Sequence, residues 1–149
     1  MKKLVLEYWA PLVVWLLTIF FMSTDLFSAN ETSKIIVPLL KFFFPGLSPA
    51  QLSLGHMIIR KLGHITEYFI LAIFTYRTMR HQYPDLAQAK VRTIVFVALA
   101  ASLDEIHQRF TAFRTPSPVE VGYDCLGAVT ALWLITTYEV RRLRTYSIL

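Results

Sequence analysis

What most restricts the fold of this chain is the alternation of apolar runs, each close to the length of a bilayer crossing, with short blocks of charge. Tyr8–Met22 (YWAPLVVWLLTIFFM) contains no Lys, Arg, Asp or Glu, and comparable runs occupy Leu62–Tyr76, Val91–Leu103 and the stretch from Gly122 or Asp124 to Tyr138. A helix needs about 20 residues to cross the hydrocarbon layer, and each run reaches that length together with its flanks. A surface helix of a soluble protein needs only an apolar stripe, whereas these runs are apolar around much of their circumference. With 55% hydrophobic residues over 149 positions, the chain reads as one membrane domain covering residues 1–149 rather than a soluble helical domain.

Spans are predicted at about residues 8–23, 58–76, 90–104 and 122–139. Lys2 and Lys3 precede the first, and Pro11 falls near its first turn, where proline is tolerated. No small-x-small cleavage pattern follows Met22, so the first run is expected to be retained as a helix. Ser23–Lys34 (STDLFSANETSK) is polar and turn-forming, and the Asn30-Glu31-Thr32 glycosylation triplet within it is too short a pattern to carry meaning. Residues 35–44 (IIVPLLKFFF) are interrupted by Pro38 and Lys41 and are too short to cross. The expected fold is an all-α integral membrane protein with about four transmembrane helices plus a short interfacial or re-entrant segment.

Charge sets the expected orientation. A net charge of +5 would raise nucleic acid as a partner for a soluble protein, but here the basic residues lie in blocks beside apolar runs, and no nucleic-acid role is expected. With those four spans, nine of the fifteen Lys and Arg residues (Lys2, Lys3, Arg77, Arg80, Lys90, Arg92, Arg141, Arg142, Arg144) fall on one side, with only Glu7, Asp85 and Glu139 as acids. The positive-inside rule makes that side cytoplasmic, with both termini. The opposite face then carries two polar clusters. Trp9, Trp15 and Trp133 are expected as lipid-facing or interfacial anchors, His56 and His81 as solvated, and the single Cys125 as a small buried residue.

The first cluster is RKLGHITEY, from Arg60 to Tyr68. Arg60, His64 and Glu67 recur at helical spacing, with Lys61, His64 and Tyr68 on an overlapping face. The second runs from Asp104 to Gly127. Asp104, His107 and Gln108 share a face with Glu105 beside them, Arg114 stands in the proline-stiffened connection, and Glu120 and Asp124 lie four residues apart at the start of the last span.

These segments, RKLGHITEYFILA, then DEIHQRF, then Arg114, Ser117, Glu120, Asp124 and Gly127, resemble the VanZ-like family of bacterial integral membrane proteins over residues 9–139. The family shows K-x-x-H-x-x-x-Y, D-E-x-x-Q-x-F and R-x-x-S-x-x-D-x-x-x-N-x-x-G segments. Position by position this marks Lys61, His64, Tyr68, Asp104, Glu105, Gln108, Phe110, Arg114, Ser117, Glu120, Asp124 and Gly127. Two positions depart from the pattern: Glu120 replaces the usual Asp, and Asp124 the frequent Asn, which adds a carboxylate. The resemblance implies an envelope protein of the cytoplasmic membrane, associated through the family's namesake with resistance to the glycopeptide teicoplanin.

Three readings of the clusters follow. The polar groups can pair with one another and simply hold the bundle together. They can form an outer-face pocket for an anionic lipid headgroup or a lipid-linked cell-wall precursor, lined by Lys61, His64, Tyr68, Asp104, Glu105, Gln108, Arg114, Glu120 and Asp124 with Phe110 beside them, because Arg and Lys match phosphate. Or His64, Asp104 and Glu105 can work as acid and base in hydrolysis or transfer at such a headgroup. The binding reading is the leading expectation. His64-x-x-Glu67 and Asp104-x-x-His107 each put an imidazole and a carboxylate one turn apart, but such pairs are more often hydrogen-bonded partners, so neither a metal nor a cofactor is expected.

Overall fold

The computed structural model describes residues 4–111 and 117–146, with 142–146 as backbone only. Every regular element among them is helical. Helix α1 runs over Val5–Met22, its first turn (Val5–Trp9) wound as a π-helix. A 3₁₀ turn at Asp25–Phe27 leads to α2 (Ala29–Phe43), followed by α3 (Pro49–Gln82), α4 (Leu86–Gln108) and α5 (Pro118–Tyr146).

Local chemistry sets the boundaries. Ser28 caps α2 by accepting a 3.4 Å hydrogen bond from the Glu31 amide. Residues 29–34, expected from composition as turn, are therefore the first turns of a helix that carries Pro38 inside it. Ser48 and Gln51 form a reciprocal capping box and Pro49 occupies the first turn, so α3 starts well ahead of its apolar part. Pro84 stops it at the far end, and Asp85 caps α4 through a 2.8 Å bond from the Gln88 amide.

Helix α3 is the axis of the bundle. At 34 residues it is about 50 Å long, and α1, α2, α4 and α5 all pack on it, α5 most extensively. Gly127 permits that crossing: a Cβ there would sit 2.2 Å from the Ile65 carbonyl oxygen. Small residues continue the seam, with Ala72, Ala101, Ala128 and Ala131 buried beside Leu12, Ile19, Tyr68, Leu71 and Val97, as expected where backbones must approach closely.

Much of the outside of the bundle is apolar, and part of its inside is polar. Val14, Leu17, Phe20 and Phe21 of α1 and Phe42 and Phe43 of α2 are exposed, Phe42 to 79%, while Thr75, Thr78, Thr93, Asp104, Glu105, Gln108 and Asp124 are buried. Among the described residues three helices, Val5–Met22, Leu86–Gln108 and Pro118–Arg141, are long and apolar enough to cross a membrane. Helix α3 has ample length but falls short on composition, because Arg60, Lys61, His64 and Glu67 interrupt it.

The tryptophans divide. Trp133 is 65% exposed, but Trp15, expected as an outward anchor, is drawn inward: its indole N–H donates to the Glu67 carbonyl at 2.9 Å and its ring meets the edge of Phe74. An indole N–H in an apolar setting needs an acceptor, and this carbonyl supplies one.

Candidate functional site

Both polar clusters meet at one end of the bundle, the acidic end. Helical spacing turns Arg60, His64 and Glu67 of α3 toward the first turns of α2 and the last turn of α4. There they line a cavity of about 200 Å³ with Asp104 and Gln108 of α4 and Thr32 of α2. Ile19, Met22 and Ser23 at the end of α1, with Phe27 and Ile36, supply the rest of its wall.

Each polar group is held by a particular neighbour. Arg60 donates through Nη1 to the Phe27 carbonyl (2.8 Å) and to Thr32 Oγ1 (3.1 Å), and Thr32 Oγ1 also lies 3.1 Å from His56 Nε2. This chain latches α2 and the 3₁₀ turn onto α3, so His56, expected in bulk solvent, is a structural partner. Its burial, then the Arg60 charge, hold its pKa below the usual value for histidine, in keeping with a neutral ring between Thr32 and a guanidinium. Gln108 donates to Asp104 Oδ2 at 2.9 Å one turn away. Glu105 Oε2 accepts from the Ser117 amide at 2.7 Å and so ties α4 to the start of α5.

His64 sits between two carboxylates of α5. Its Nε2 is 3.5 Å from Glu120 Oε2 and its Nδ1 3.4 Å from Asp124 Oδ1. The second pair is close enough for attraction between charges but not aligned as a hydrogen bond. Among the described residues, both Asp124 oxygens, Glu105 Oε1 and the Tyr68 hydroxyl are buried without a hydrogen-bond partner, which is costly unless another group supplies one.

Not every residue singled out from the sequence lines this cavity. Lys61, one position from Arg60, is carried 100° around the helix and lies 4.0 Å over the ring of Tyr123 on α5. Phe110 is 85% exposed beyond the end of α4. His107 turns to Ser23 Oγ (3.3 Å) and packs on the Phe20 ring (4.2 Å). Among the described residues no three His, Cys, Asp or Glu side chains come together to hold a metal ion. Arg114, expected to line the pocket, lies outside the described residues.

Sequence reasoning missed Ser23, Phe27, Thr32 and Ile36, all of which line the cavity. A signal for Thr32 and Ile36 existed: the Ser28-x-x-Glu31 spacing marks a helix start, and a helix from there places both on one face.

Among the described residues Glu67 and Asp104 line the cavity with Arg60 and His64, Glu120 and Asp124 flank His64 from α5, and Glu105 lies on α4 beside a separate pocket with Arg109 and Ser117. Such a site accepts hydrogen bonds more readily than it donates them. The profile of the VanZ/LLP1 family matches residues 8–139. No curated protein and no solved structure matches the chain.

Proposed function

The chain belongs to the VanZ/LLP1 family, and from that premise we propose that it is a multi-pass protein of the bacterial cytoplasmic membrane whose acidic-end cavity binds the headgroup of an anionic lipid or a lipid-linked cell-wall precursor. In this reading the acidic end faces outward, both termini are cytoplasmic, and headgroup binding supports teicoplanin tolerance. The observation that carries it is the cavity itself, an ionisable pocket set between helices whose outer surfaces are apolar. Ionisable groups at such a place cost too much to serve only as glue.

The acids in the cavity wall refine the headgroup. A bare phosphate would meet Arg60 but also the carboxylates of Glu67 and Asp104. A phosphate ester bearing hydroxyls, such as a glycerol or sugar headgroup, suits both: its phosphate faces Arg60 and its hydroxyls donate to the acids. The test is native mass spectrometry of the full chain, purified from its membrane, with phosphatidylglycerol as the probe. Asp104→Asn and His64→Ala are expected to release the lipid while thermal stability holds and teicoplanin tolerance falls. Lipid retention equal to wild type in both variants overturns the reading.

A second reading rests on His64, placed between Glu120 and Asp124 as a general base is placed beside the groups that orient it. On that reading the same cavity turns its lipid over. Wild-type lipid retention in His64→Ala with loss of tolerance, and with a changed headgroup product in wild type alone, would select it.

A further inference from the structure

A second, larger space lies between α1 and α4. It is a lateral groove of about 770 Å³, walled by Val13, Leu17 and Phe20 of α1 and by Phe96, Leu99 and Leu103 of α4. These walls are apolar, and the polar groups on the groove lie at its floor and one end: Tyr68, Asp104 and His107. The Phe20–His107 ring contact and the His107–Ser23 contact bridge α1 to α4 at the acidic end. Asp104 and Ile19 line both the groove and the headgroup cavity, so the two spaces meet at those residues.

Building on the headgroup reading above, we infer that the cavity is loaded from the side, by a glycerol-bearing anionic lipid whose hydrocarbon chain lies in the α1–α4 groove and whose head turns inward past Asp104. Packing alone does not select a chain in hydrocarbon, because lipid tails are as apolar as Leu. Selection comes from the polar end. The Tyr68 hydroxyl is fully buried and has no hydrogen-bond partner among the described residues, and it can donate to an ester or phosphate oxygen. Asp104, with Gln108 on one oxygen, can accept from a headgroup hydroxyl. The volume also fits a chain: it lies within the roughly 300–1,000 Å³ of small-ligand pockets, whereas a membrane-crossing partner helix fills roughly 2,000 Å³.

The full chain in bilayer nanodiscs of phosphatidylglycerol and phosphatidylcholine, each carrying a photoreactive diazirine on the acyl chain, tests this. Phosphatidylglycerol is expected to label Val13, Leu17, Leu99 and Leu103 far above Val129 and Leu134 on the exposed face of α5, and phosphatidylcholine to show no such contrast. Tyr68→Phe is expected to weaken phosphatidylglycerol retention by about tenfold, or 1.4 kcal/mol. Ala100→Trp, which fills the groove, should remove both the labelling and the retention, while Leu134→Trp controls for folding and changes neither. Labelling spread evenly around the apolar belt, or equal for both lipids and indifferent to Tyr68→Phe, overturns side loading, as does crosslinking of the groove to a second copy of the chain. If Ala100→Trp abolishes groove labelling but lipid retention stays sensitive to Asp104→Asn, the headgroup reading stands and side loading alone falls.

Discussion

The two ends of α3 carry ionisable clusters that are settled in different ways. At the basic end, Glu139 of α5 accepts a 2.7 Å hydrogen bond from Tyr76 and lies 3.6 Å from Arg80. Arg80 also donates to the Pro84 carbonyl, and Tyr8 stacks on His81 with the Arg77 guanidinium 5.8 Å from the centre of the Tyr8 ring. Glu139 has both its phenol and its guanidinium. At the acidic end, Glu67 and Asp104 line a cavity with Arg60 and His64, Glu120 and Asp124 flank His64, and buried oxygens of Asp124 and Glu105 have no hydrogen-bond partner among the described residues. The first arrangement is that of a tie between helices. Arg80 Nε is likewise buried without a hydrogen-bond partner, but at the acidic end several such atoms, on Asp124, Glu105 and Tyr68, lie close to a cavity, and the candidate site is placed there.

The largest expected effect tests the scaffold that both ends share. Gly127→Ala drives a Cβ into the Ile65 carbonyl and is expected to cost about 3 kcal/mol or more, lowering the thermal midpoint of the detergent-solubilised protein and disturbing both clusters together. A wild-type midpoint would mean that α3 and α5 do not cross as closely as described. Next in size is a matched pair. Glu139→Gln breaks a partly exposed tie and should cost roughly 1 kcal/mol, whereas Asp124→Asn replaces a buried carboxylate that lacks a hydrogen-bond partner and should leave the midpoint unchanged or raise it while lipid retention falls. If Asp124→Asn proves the more destabilising of the two, the contrast between a structural end and a functional end collapses. The smallest effect concerns Lys61. Lys61→Met removes a cation–π contact worth about 0.5 kcal/mol and, because that side chain lies on Tyr123 rather than in the cavity, should keep phosphatidylglycerol retention; a large loss of lipid would return Lys61 to the site.

Much of this was legible in the residues. The helical class followed from apolar runs that repeat no strand-like alternation, and the family from three ordered motifs. The gathering of His64, Asp104, Glu105, Gln108, Glu120 and Asp124 at one end followed from helical spacing and from the hairpin that joins α4 to α5. Composition was a poorer guide to the stretch after Met22, since a polar run reads alike as turn or as capped helix until Ser28 is paired with Glu31. It also misjudged Trp15 and His56, whose roles depend on which carbonyl or hydroxyl a distant helix presents.

The sequence by itself therefore determined the helical class, the apolar runs and the end of the bundle where the polar clusters collect, because helical periodicity is a local property of the chain. Tertiary structure alone decided which way each polar side chain resolves: Arg60 toward α2, Lys61 toward Tyr123, His64 between two α5 carboxylates, and a groove that joins the Arg60–His64 cavity at Asp104. The physical reason is that neighbouring residues on a helix differ by 100° of rotation. What each then meets depends on where the other helices stand, and that is fixed by contacts such as Gly127 on Ile65, far apart in the chain.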